Sequence, residues 1–89
     1  MFYRKVISST NAVFSGVVRV CGIRLVAGSD VATATLFDSL TQEAGKDFCL
    51  LKAGAEGTDN QKFGEGLVME KGVSVTLTGT NSILYIYYQ

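Results

Sequence analysis

The chain has 89 residues, eight basic and eight acidic side chains, a formal net charge of zero, and no His, Pro or Trp. Without His, neither a Ser-His-Asp nor a Cys-His catalytic arrangement can be built. With 47% hydrophobic and 18% charged residues the sequence is that of a globular protein rather than a disordered one, and no apolar run approaches the roughly 20 residues of a membrane helix. The expectation is one small domain over residues 1–89, a size that buries roughly two-thirds of its unfolded surface.

The N-terminal segment Phe2–Ser8 reads as a strand. Arg4 and Lys5 interrupt it and no apolar h-region follows, so it is not expected to be a secretory signal, and folding in the cytoplasm is expected. Val17–Ala27 is the next strand. Strict alternation would place Arg24 on one face with Val18, Val20 and Val26. A bulge at Gly22 flips the parity and resolves this conflict. Val18, Val20, Ile23, Leu25 and Ala27 then line one face, and Arg19, Cys21 and Arg24 the other.

After a Gly28-Ser29-Asp30 turn, Ala32–Asp38 alternates Ala32, Ala34 and Leu36 against Thr33, Thr35 and Phe37. Ser39–Gly45 is too short for an independent helix and is expected to be a turn or a single helical turn. Asp47–Ala53 is a strand, and Gly54 to Asn60 reads as turn. Lys62–Glu65 is a weak strand and Leu67–Glu70 a separate one. In Val73–Thr78, Val73, Val75 and Leu77 should face inward and Ser74, Thr76 and Thr78 outward.

The last strand, Ser82–Tyr88, is apolar on both faces, with Leu84, Ile86 and Tyr88 on one and Ile83, Tyr85 and Tyr87 on the other. Such a strand is either covered twice or meets another chain. Strand segments spaced at roughly ten residues indicate an all-β fold: an antiparallel β-sandwich of about eight strands with jelly-roll-like connections. With no Pro to blunt them, its edge strands are expected to be covered by partner chains.

Residues 1–29 hold four cations and no acid, a charge of +4, and residues 30–89 hold four cations against eight acids, a charge of −4. Either the fold interleaves these charges, or a basic side docks against an acidic neighbouring copy. Four dispersed cations are too few for a nucleic-acid footprint, so no nucleic-acid partner and no membrane partner is expected. Cys21 and Cys49 are expected to stay reduced, and two Cys without His cannot supply a zinc site.

Gly64-Glu65-Gly66 has Met69 where a dinucleotide fingerprint needs its third Gly. Gly45-Lys46 has Leu40 and Asp47 where a phosphate loop needs Gly and Ser or Thr. The eight acids fall mainly in turns and at strand ends, where solvation rather than paired-carboxylate chemistry is expected. No catalytic, cofactor-binding or metal-binding residue is assigned, and the chain is expected not to be an enzyme.

Gly22-Ile23-Arg24-Leu25, the turn Gly28-Ser29-Asp30 and Ala32–Asp38 resemble the first half of small β-sandwich structural proteins of tailed bacteriophages. Gly66–Asn81 followed by the Tyr-Tyr ending is similar to the second half. The resemblance covers most of residues 16–88 and rests on turn and strand patterns. It implies an oligomeric virion component without catalytic residues: a capsid cement or decoration protein, or alternatively a part of the neck, tail or fibre.

The expected partners are other copies of the chain, with a trimer favoured, and a major capsid or other virion protein. The expected location is the virion, after synthesis in the host cytoplasm. A reading of a different class is a small lectin-like module, against which the lack of Trp and the placing of aromatics in strands both count. The candidate protein interface comprises Phe2, Tyr3, Arg4, Ile83, Tyr85 and Tyr87, since Tyr offers a rigid apolar ring with a hydroxyl suited to a wet rim.

Overall fold

The computed structural model describes residues 3–41 and 45–89. Eight strands follow one another: β1 (Tyr3–Ile7), β2 (Asn11–Ser15), β3 (Val18–Val26), β4 (Ala32–Phe37), β5 (Asp47–Ala53), β6 (Thr58–Met69), β7 (Gly72–Thr78) and β8 (Ile83–Tyr88). They form two four-stranded sheets, ordered β1-β8-β3-β6 and β2-β7-β4-β5, and every pairing is antiparallel. Every connection except β4–β5 passes from one sheet to the other, so the chain wraps its own core as a jelly roll.

The core lies between the sheets. Val20, Leu25, Ala32, Ala34, Leu36, Val73, Val75, Leu84 and Ile86 are fully buried there. Period-two alternation creates this layer: Ala32, Ala34 and Leu36 point inward while Thr33 and Thr35 stay half-buried on the other side. The Thr side chains satisfy one another across β4 and β7, where Thr33 Oγ1 lies 2.5 Å from Thr78 Oγ1.

The bulge in β3 is present, and its extra residue is Cys21. Val20 pairs with Tyr88 and Gly22 with Tyr87, leaving Cys21 unopposed on the β8 side. Parity flips there as the sequence requires: Val18, Val20, Ile23, Leu25 and Ala27 are buried, and Arg19 and Arg24 exposed. On the β6 side the irregularity is larger. Val20 pairs with Leu67 and Gly22 with Lys62, so Phe63–Gly66 all fall opposite Cys21.

Several expectations need correction. Asn11–Ser15 is a strand, β2, that the sequence reading passes over. The two short segments expected at 62–65 and 67–70 belong to one continuous β6, which begins at Thr58 inside the expected turn. Ser74, expected to face solvent, is fully buried. The segment after β4 folds over it, and its hydroxyl donates to Thr41 O at 2.8 Å. Ser39–Thr41 is bent rather than helical, and the rest of that expected turn lies partly outside the described residues.

Cys21 and Cys49 are unpaired and belong to different sheets. Cys49 sits opposite Leu36 and packs on the core, whereas Cys21 lies on the outer face. Burial, followed by the charge of Asp59, pushes the Cys49 thiol up, partly offset by a backbone hydrogen bond at Leu50. Cys49→Ser is therefore expected to lower the denaturation midpoint more than Cys21→Ser. Alkylation of the folded protein at neutral pH, mapped by peptide mass, is expected to modify Cys21 first. Equal midpoints, or faster reaction at Cys49, would contradict this placement.

Candidate docking face

The outer face of the β1-β8-β3-β6 sheet is built by parity. Leu84 and Ile86 are buried, so Ile83, Tyr85 and Tyr87 point outward, each half-buried. Register extends this set into rows across the strands. Arg4, Tyr87, Gly22 and Lys62 form one row; Val6, Tyr85, Arg24 and Asn60 form the next; Ile83, Val26 and Thr58 form a third. The Arg4 guanidinium lies 5.4 Å from the centroid of the Tyr85 ring, an arrangement that holds the cation against the π-face. Among the described residues, the sandwich has two layers and no third layer covers the face.

Arg4, Ile83, Tyr85 and Tyr87 of the expected interface are thus brought together. Tyr3 is not among them. It pairs with Tyr88 on the opposite side of the sheet, where the Tyr3 and Tyr88 rings lie 5.6 Å apart and Phe14 and Tyr88 4.6 Å apart. Phe2 lies outside the described residues. Val6, 51% exposed, takes the place expected for Tyr3. Counting alternation back from buried Ile7 would have identified it.

Gly22 gives the face its relief. With no side chain there, two adjoining depressions open between β8 and β6. One, of about 300 Å³, is bounded by Cys21, Lys62, Gly64 and Tyr87; the other, of about 410 Å³, by Arg24, Asn60, Gln61, Lys62 and Tyr87. Among the described residues, the lining carries cations, amides and a phenol ring, and no carboxylate. Arg19 lies on the same face, its guanidinium donating to Glu65 O at 3.1 Å. No outward paired position of this sheet holds an acid. A one-signed cleft of this kind attracts anionic groups.

Among the described residues, no three His, Cys, Asp or Glu side chains gather in a way that could hold a metal ion.

The sequence matches no known protein-family model and no curated protein. Solved structures resemble this chain. The Drosophila NLP core, whose structure is described as giving insight into pentamer formation and histone binding, matches with a TM-score of 0.56 and 16% identity. That match covers 100% of this chain and 96% of the other. PirA matches with a TM-score of 0.46 and 13% identity over 99% of this chain and 93% of its own. The likeness to the NLP core concerns the fold alone, and no family is assigned to the chain.

Proposed function

We propose that this chain is a non-enzymatic virion structural protein, a jelly-roll cement or decoration protein that forms a homo-oligomer and stabilises a capsid. The observation that carries the reading is the outer face of the β1-β8-β3-β6 sheet. It places tyrosine, arginine and valine side chains, of which Tyr and Arg are enriched in protein interfaces, in one patch that no layer of the described residues covers. The strand edges β1, β6, β2 and β5 add to this reading. Unpaired backbone groups along an edge favour pairing or coverage by another chain. The virion assignment itself rests on the sequence resemblance to phage β-sandwich proteins.

The test is quantitative mass spectrometry of purified particles. Copies in proportion to the major capsid protein support a cement or decoration role. A single ring's worth of copies would place the chain in a neck, tail or fibre, and absence from particles would overturn the virion reading. The Gly22 depression favours one second reading, a small carbohydrate-binding module. A chain that is monomeric in solution and binds on a glycan array would support it.

A further inference from the structure

Arg4, Arg19, Arg24 and Lys62 share one sheet face, and among the described residues none of them is paired with a carboxylate. Stacking two copies of this face about a twofold axis would set cations against cations, which costs energy wherever water is excluded. If the face docks a second copy, it needs a carboxylate from a different part of the surface.

Three of the acids accept hydrogen bonds from other parts of the chain. Asp30 accepts from Thr80 N at 2.7 Å and from Thr80 Oγ1 at 3.2 Å. Asp38 accepts from Lys71 N at 3.4 Å, and Asp59 from Lys52 N at 3.2 Å. Asp47 and Glu70 each adjoin a lysine in sequence, Lys46 and Lys71, and Glu65 lies in the irregular part of β6 beside Arg19.

Glu56 differs from all of these. It is exposed, at the tip of a Gly54–Gly57 turn that contains no cation, closed by Gly57 N–H to Gly54 O at 2.8 Å. The tip is rigid, since Glu56 N–H donates to Gly28 O at 2.8 Å. Its φ is 60°, a conformation that Gly or Asn adopts at lower cost. The fold thus holds an acidic side chain, against local preference, on a fixed projection.

We propose that copies of this chain associate head to tail, with the Glu56 carboxylate of one copy seated in the Gly22 depression of the next, between Arg24 and Lys62 and against the Tyr87 ring. Used head to tail, this contact between two different patches is heterologous and builds a ring or, where the rotation does not close, an open filament. This inference rests on the assembly reading and specifies its geometry.

The experiment is sedimentation of four proteins: wild type, Arg24→Glu with Lys62→Glu, Glu56→Lys, and the variant carrying all three changes. All substituted positions are exposed, and circular dichroism checks that each variant folds. The wild type is expected to form an assembly larger than a dimer. Either partial reversal should weaken association at least tenfold, and the triple variant, with both patches inverted, should recover it. Wild-type association should also weaken about tenfold or more from low to high salt, a readout that needs no substitution.

A triple variant that stays monomeric, or partial reversals that assemble like wild type, would overturn the head-to-tail contact. If those reversals assemble while Tyr85→Ala or Tyr87→Ala does not, the assembly reading stands and this contact fails. A monomeric wild type removes both.

Discussion

Tyr85→Ala and Tyr87→Ala are each expected to weaken self-association, by about 2 kcal/mol or more at a central hot spot, or roughly thirtyfold in dissociation constant. Tyr87 lies between Arg4 and Gly22 in the cross-strand register, so truncating it removes one wall of the depression. Tyr85 lies between Val6 and Arg24 and supports the Arg4 guanidinium. Neither ring belongs to the core, which β8 supplies through Leu84 and Ile86 on its other face. Sedimentation should therefore report loss of assembly while the denaturation midpoint of the monomer changes little. Variants that assemble normally, or that unfold, would show that this stripe serves the fold and not a partner.

Gly28→Ala is expected to destabilise the fold by about 1–3 kcal/mol through overpacking. A Cβ at Gly28 would overlap the Thr80 carbonyl oxygen and stand 3.1 Å from both Asn81 Cβ and Asn81 O. The obstructing groups are mostly backbone, and that backbone cannot easily retreat. Thr80 N–H is held by Asp30 at 2.7 Å, and the Ser82 hydroxyl donates to Thr78 O at 3.0 Å and to Gly79 O at 3.1 Å.

Gly54→Ala is the control. A Cβ there meets nothing within 4 Å, so its effect should stay within about 0.5 kcal/mol. Chemical denaturation of both variants checks the contrast, and equal midpoints would contradict the close approach of the β3–β4 and β7–β8 turns. Because Gly28 O also anchors Glu56, Gly28→Ala should weaken assembly as well.

The sandwich was legible wherever one face of a strand is buried and the other is not. In β3 a single conflict, Arg24 falling in phase with Val18 and Val20, was enough to locate the bulge to within one residue. β7 and β8 are legible as strands from their alternating or β-rich residues, although Ser74 of β7 is buried on the face expected to meet solvent. β2 was not legible because only Val13 and Phe14 in its five residues favour a strand, flanked by Asn11 and Ser15, which do not. β6 is a polar edge strand with Gly64 and Gly66 in its irregular middle. With no facing partner on its outer edge it needs no clean alternation, so it read as fragments.

The candidate face was legible in part. Arg4, Ile83, Tyr85 and Tyr87 of the expected interface lie on this face, whereas parity puts Tyr3 on the other side of the sheet. The depression at Gly22 depends on Lys62 and Tyr87 arriving on either side of one glycine. That is a product of two long-range registers which no local pattern contains.

Self-association through the outer face of the β1-β8-β3-β6 sheet is tested by the solution mass of the purified wild type across a concentration series at low salt. A stable multiple of the 9.5 kDa chain, larger than a dimer, is expected. A 9.5 kDa monomer at every concentration would contradict it.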